Sequence, residues 1–399
     1  MRNGTVEGGV MTDDLEKKKI GRWAISVSAL RAYTMVFALI AIWIFFQVKT
    51  VSEIYPFGLF LHPLNFANLL KQMAVTGVLA VGMLMVIVAR QIDLSVGAIV
   101  GLAGGIAAMT QGYGLLPSLA SAIVIGILVG AAQGALVAWV NIPAFIVTLG
   151  GLLAWRGVIL YLSKGETIPV RLPVFRSLGV SLVHPTMGLI LGAVAIAAVL
   201  WSVLRRNAMR RRHGLPPPSA AATIARIVAP SILIVVFVLH MNRQGGVPVP
   251  VLALLIVALI GTFVMNSTTF GRYLYAIGSN PEAARLSGIS INKHILGAFA
   301  FLGALVGVAA ILHTGRVGSA SPDAGTLMEL DAIAACVIGG TSLMGGRGTV
   351  AGAMLGALVM ASLDNGMSLL SVENATQYII KGAVLVAAVG FDMAGRRKG

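Results

Sequence analysis

Charge is what this chain has least of. Asp, Glu, Lys and Arg make up 11% of its 399 residues, against roughly 25% in a soluble domain, and that shortage excludes an ordinary water-soluble fold. Acidic residues are the scarcer kind, 14 against 29 basic ones, for a formal charge of +15. Nucleic acid is not the expected partner, because such binding needs a solvated face of clustered Lys and Arg and no domain is left over to carry one. The Lys/Arg bias of cytoplasmic loops in membrane proteins explains the excess more simply. A single cysteine, Cys336, excludes an internal disulfide and any multi-cysteine metal site, and His313 has no ligand at metal spacing beside it. Also missing is Gly-x4-Gly-Lys-Ser/Thr, indeed any Gly-Lys dipeptide, so the chain cannot cradle ATP phosphates itself.

Apolar residues fill the space that charge leaves. They are 57% of the chain, mean hydropathy is +0.92, and 48 glycines and 15 prolines punctuate the runs. Lipid is therefore the expected solvent, and the fold class is an all-α polytopic membrane protein. About twelve runs approach the ~20 residues of a span: 32–48, 69–89, 94–111, 118–140, 144–162, 186–204, 226–240, 248–268, 294–312, 330–343, 349–365 and 377–394. The run 330–343 is too short to cross ~30 Å at ~1.5 Å per residue and is expected to be broken or re-entrant.

Residues 1–31, with Lys17, Lys18, Lys19 and Arg22, are too long and basic for a cleaved secretory signal. They read as a cytoplasmic tail before a membrane domain at 32–395. Threaded from there, the loop 205–225 with Arg205, Arg206, Arg210, Arg211 and Arg212, and the end with Arg396, Arg397 and Lys398, also fall in the cytoplasm. Both termini are thus expected inside. Gly126, Gly130 and Gly134, and likewise Gly303 and Gly307, sit four apart, the spacing that lets two helix backbones approach in lipid. A pattern shared by Gly97-Ala98-x-x-Gly101 and Gly352-Ala353-x-x-Gly356 hints at an internal repeat.

The loop 269–293 carries the most specific signal. Asn280 and Pro281 make a helix start, N-cap then first position, and Glu282 complements the N-terminal dipole. Gly288 stops the helix. The result is a short cytoplasmic helix, Pro281 to Ser287, that can dock into a soluble partner and pass motion to the spans. Glu282-Ala283-Ala284-x-x-x-Gly288 resembles the cytoplasmic signature of ABC-importer permeases, although the usual downstream Leu-Pro is absent. Ile92-Asp93-Leu94-Ser95-Val96-Gly97, Asn141 to Gly150, Gly339 to Thr349 and Leu363 to Leu370 narrow the likeness to the ribose/xylose-type sugar permeases, xylose foremost, over about residues 65–395. About ten spans would be the family core, with 226–268 an added pair.

That resemblance implies a permease subunit importing a pentose, with no enzymatic activity of its own, in the bacterial inner membrane. It implies a homodimer, a cytoplasmic ABC ATPase that uses ATP and Mg, a periplasmic sugar-binding protein, and surrounding lipid. Asn280, Pro281, Glu282, Ala283, Ala284 and Gly288 would couple to the ATPase. For the sugar path, neutral hydroxyls call for polar and aromatic side chains, and Asn141, Phe145, Thr148, Thr341, Ser342 and Asn365 are the candidates. Asp93, Ser95 and Gly97 mark a gating turn, in which Asp93 has the plainer reading of a helix cap. Arg156 and Lys381 are expected to snorkel to the interface, and Glu329, Asp331 and Asp364 to lie at solvated span ends. Three other readings stay open: an ion-coupled transporter, for which Asp331 is the nearest titratable group, a permease for another small solute, and a membrane scaffold.

Overall fold

The computed structural model describes residues 27–216 and 218–394. Most of the expected tail 1–31, Pro217, and the terminal Arg396, Arg397 and Lys398 lie outside the described residues. Among the described residues, fifteen α-helices carry the fold. The first six are α1 Val27–Lys49, α2 Pro63–Val88, α3 Val96–Thr110, α4 Leu115–Trp139, α5 Ala144–Ser163 and α6 Pro173–Val180. Then come α7 Pro185–Arg212, α8 Ala220–Asn242, α9 Val249–Ser267, α10 Thr269–Ser279 and α11 Pro281–Leu286. The last four are α12 Ile291–Val317, α13 Met328–Ile338, α14 Val350–Leu369 and α15 Asn374–Ala394.

Nine of the described helices are long and apolar enough to cross a membrane: α2, α3 together with the 3₁₀ turn that extends it to Tyr113, α4, α5, α7 to α9, α12 and α14. The remaining apolar runs fall on α1, α13 and α15. Helix α13 has 11 residues, about 16 Å at ~1.5 Å per residue, half of a ~30 Å hydrocarbon core. It is the broken span, entered by the irregular stretch 321–327 and left through the glycine-rich loop 339–349.

Helix α12 is the centre of the bundle, packed on α2, α3, α4 and α6. Its Gly303 and Gly307 and the Gly126 and Gly130 of α4 are each other's partners: a Cβ on Gly126 would run into Gly303 O, and one on Gly303 into Gly126 O. Packing of this kind substitutes for a hydrophobic drive that lipid does not supply. The two matched glycine patterns also share a job. Gly97 and Gly101 seat α3 against Gly325 and Ala324, while Gly352 and Gly356 seat α14 against Gly339 and Ala335, so α13 and its approach are gripped from both sides.

The pair expected at 226–268 divides. Helix α9 joins the core, where Gly77 of α2 meets Leu254 and Gly261 meets Val81. The hairpin that stands apart is α7 with α8, whose packing is mainly on each other. At the end opposite α10 and α11, two antiparallel ladders tie loops together, β1 Ile168–Pro169 with β4 Ser319–Ala320, and β2 Leu182–Val183 with β3 Val247–Pro248.

Candidate functional site

Helices α10 and α11 form a bent arm. Thr268 caps α10, its Oγ1 accepting from Gly271 N at 3.2 Å, and Asn280 caps α11, its Oδ1 accepting from Ala283 N at 3.1 Å. Pro281 holds the first position and Glu282 the first turn. Gly288, at φ +79°, closes the helix: its N donates to Arg285 O, and Ile289 N donates to Ala284 O, the paired bonds of a left-handed stop. Ala284 is buried under the arm, while Glu282, Ala283, Arg285 and Leu286 point outward, Leu286 with 81% of its surface free. An apolar side chain flanked by one acid and one base thus stands exposed at the tip of the arm.

The arm is bolted to two span ends. Gly346 N donates to Val88 O at 2.9 Å, and Gly278 lies so close to both that a Cβ would strike the Val88 carbonyl. Arg90, at φ +62°, donates from Nε to Met344 O at 2.7 Å and from Nη2 to Ser279 O at 3.2 Å. Tyr275 Oη donates to Gly348 O at 2.8 Å, and burial raises its phenol above the usual value. These contacts join α10 to the foot of α2 and to the loop 339–349 together.

From Arg90 the chain turns back into the protein. Asp93 is fully enclosed, and its Oδ1 accepts from Ser95 N at 2.8 Å and from Ser95 Oγ at 2.6 Å. Ser95 occupies the N-cap position of α3, a helix start with no side-chain cap of its own, so Asp93 holds the cap residue in place and does not itself cap the helix. Beside it, a Cβ on Gly97 would meet Glu329 Oε2, a buried oxygen with no hydrogen-bond partner. Arg156 does not snorkel: its Nη1 donates to Pro322 O at 2.6 Å and Ala324 O at 2.8 Å, fastening the approach to α13.

Lys381, Asp331 and Asp364 depart furthest from expectation. Instead of separate span ends and a snorkelling amine, they form one ionic triad: Lys381 Nζ lies 3.1 Å from Asp331 Oδ2 and 2.9 Å from Asp364 Oδ2. Three helices, α15, α13 and α14, each contribute one member. Nothing local in the sequence marks it.

The six path candidates are not brought to one surface. Asn141, at φ +61°, and Phe145 are exposed around the turn between α4 and α5. Thr148 is buried, its hydroxyl 2.9 Å from Ala144 O and 3.4 Å from Ile92 O. Thr341 and Ser342 are buried in the loop 339–349, where Met344 N donates to Ser342 Oγ. Asn365 forms a reciprocal amide pair with Asn65, at 2.8 and 3.1 Å, joining α14 to α2.

A polytopic bundle with a broken helix at its middle and a capped arm at one end is the build of a membrane transport protein. The chain belongs to the family described as branched-chain amino acid transport system, permease component, which it matches over residues 65–389. It is 44% identical to the xylose transport system permease protein XylH of Escherichia coli K12, over 92% of this chain and 93% of that one. The XylH protein of Haemophilus influenzae is 40% identical over 92% and 98%. The ribose import permease protein RbsC of Escherichia coli K12 is 34% identical over 82% and 85%. No solved structure matches.

Proposed function

We propose that this chain is the membrane subunit of an ATP-driven pentose importer of the bacterial inner membrane, with D-xylose as its solute. The carrying observation is the gradient of likeness, 44% to a xylose permease against 34% to a ribose permease. Two copies bound the path, a sugar-binding protein delivers from the periplasm, and a cytoplasmic ATPase that holds ATP and Mg docks on Pro281 to Gly288. Closure of the ATPase pair draws on α11, and Arg90, Tyr275 and Gly278 pass the motion to α2 and the loop 339–349. Asp93, Ser95 and Gly97, at the head of α3, stand next along that line. With the arm in the cytoplasm, and α1 counted as a crossing alongside α2 to α5 and α7 to α9, this reading has the N-terminus in the cytoplasm and the arginines of the α7–α8 turn on the same side, in keeping with the Lys/Arg bias.

Affinity purification of the tagged chain in mild detergent tests the reading. A P-loop ATPase is expected to co-purify with wild type and to be lost in Glu282→Arg, which still inserts in the membrane, and labelled D-xylose uptake is expected to fall to background in that variant. Uptake that stops with an uncoupler while ATP is maintained would instead establish ion coupling.

A further inference from the structure

Between Glu166 and Glu282 the sequence has no Asp or Glu. Six arginines of that acid-free stretch, Arg205, Arg206, Arg210, Arg211, Arg212 and Arg226, gather around the turn between α7 and α8, with no lysine among them. The Lys/Arg bias accounts for their side of the membrane, but not for the exclusive use of Arg or for the missing counter-charge. Among the described residues no ion pair reaches them. Five are exposed, and Arg210 is half-buried with its Nε enclosed and without a hydrogen-bond partner. A buried N–H lacking an acceptor is costly, and the partner that six guanidiniums lack is an anion.

Their depth says which anion. Helix α7 has 28 residues, and its first twenty, Pro185 to Leu204, carry no Asp, Glu, Lys or Arg. At ~1.5 Å per residue those twenty cross ~30 Å, the thickness of the hydrocarbon core, so Arg205 is the first residue past it. Trp201 marks the same boundary, where indole rings collect, and the Arg205 guanidinium stands 5.3 Å from its ring centre. Asn207 Nδ2 donates to Thr223 Oγ1 at 3.4 Å, and that register brings Arg226 of the antiparallel α8 to the level of Arg205 and Arg206. Arg210 to Arg212 follow about 8 Å further out, at the outer edge of a headgroup layer ~5–8 Å deep. Toward the hydrocarbon, Leu200, Leu204, Val228 and Ile232 are exposed and suit acyl chains.

We infer that the cytoplasmic end of the α7–α8 hairpin is a binding site for an anionic glycerophospholipid. Arg205, Arg206 and Arg226 hold its phosphodiester, the outer arginines draw on neighbouring headgroups, and its chains lie along the apolar flank of the hairpin. The planar guanidinium fork grips a phosphate through two parallel bonds, which an ammonium cannot do, and a juxtamembrane cluster of this size is attracted to an anionic leaflet. Such a lipid gives α7 and α8, which pack mainly on each other, a partner on the side the bundle leaves open. The site goes beyond the importer reading and is independent of the solute carried.

Native mass spectrometry of the purified full chain tests it, with dioleoyl phosphatidylglycerol and dioleoyl phosphatidylcholine titrated separately. Wild type is expected to prefer the anionic lipid by roughly tenfold, the contribution of one charge-assisted bond. Arg205→Lys, Arg206→Lys and Arg226→Lys together keep the charge, and with it the membrane orientation, yet should lose most of that preference; the three Gln replacements should abolish it. If the Gln variant fails to reach the membrane, the Lys variant carries the test. Arg396→Gln, Arg397→Gln and Lys398→Gln together, which remove three charges from the C-terminal end, should leave the preference intact. Glycerol 3-phosphate in millimolar excess should not displace the bound lipid. Equal uptake of the two lipids by wild type, or an unchanged preference in the Lys variant, overturns the site and leaves the arginines as a topological signal. Loss of the preference in the C-terminal variant overturns it in favour of unspecific charge, and displacement by glycerol 3-phosphate in favour of a soluble phosphate. An ATPase that co-purifies with wild type but not with the Lys variant overturns it in favour of a protein-docking face.

Discussion

At the arm there is no room for a methyl group on Gly278, Arg90 donates to carbonyls of α10 and of the loop 339–349, and Tyr275 donates to a second carbonyl of that loop. Two turns of α13 away, around Asp331, carboxylate oxygens have no donor and a Cβ on Gly382 would meet nothing within 4 Å. Close-packed matter transmits displacement because it cannot absorb it. The cavity there, bordered by Asp331, Tyr378, Lys381 and Gly382, is loosely filled and leaves room to change shape. One short helix joins the two, with its tight end toward the arm and its open end toward the cavity, and that division of labour is open to direct attack.

The hardest blow is steric. Gly278→Ala drives a Cβ into Val88 O and Gly346 N, backbone atoms that cannot rotate away, and overpacking against side chains alone costs ~1–3 kcal/mol. Loss of folded protein is expected, read as the monodisperse peak in detergent chromatography. Gly382→Ala, on the cavity wall, should leave that peak unchanged. If both variants fold equally well, the contrast between the ends is false.

Electrostatics comes next. Lys381→Met leaves two partly buried carboxylates facing each other, and breaking a buried pair costs about 3–5 kcal/mol. A marked fall in melting temperature is expected. Neutralising all three, with Asp331→Asn, Asp364→Asn and Lys381→Met together, removes the stranded charges and should restore most of the melting temperature. A triple variant that stays as unstable as Lys381→Met would mean that the loss comes from packing around Lys381 and not from the stranded charges.

At the arm, Arg90→Ala removes two charge-assisted bonds of ~1.5–3 kcal/mol each at most, discounted here because Arg90 is exposed. Insertion should persist and the ATPase should still bind, since α11 is untouched. Uptake per ATP hydrolysed should drop several-fold, measured as the ratio of the two rates in reconstituted vesicles.

Local signals are what the sequence makes legible. Asn280, Pro281, Glu282 and Gly288 fall within nine residues, and a helix was expected from Pro281 to Ser287 where Pro281–Leu286 is found. The short run at 330–343 announced a broken span because length against bilayer thickness is a one-dimensional argument. The glycine faces of α4 and α12 were visible as faces, but not as each other's partners, since pairing across some 170 residues leaves no periodic trace. The triad was illegible for the same reason. Asp331, Asp364 and Lys381 sit on three helices, and each alone has the look of a span terminus. Asn365 was read as a path residue from its chemistry, and only the fold supplies Asn65, 300 positions away.

The smallest effect expected is at Tyr275. Its hydroxyl is a neutral donor to Gly348 O, so Tyr275→Phe removes one bond of ~0.5–1.5 kcal/mol without adding volume. Burial raises the phenol above its ordinary value, so the folded state holds its proton more tightly than the unfolded chain. The contribution is therefore complete below the unfolded value of about 10 and is lost as pH rises through the folded one. Wild type and Tyr275→Phe should differ by a constant small amount in melting temperature from pH 6 to about 9 and converge at more alkaline pH. A difference that instead grows with pH would mean the hydroxyl serves as an acceptor, and that the tie between arm and loop is made by something other than this bond.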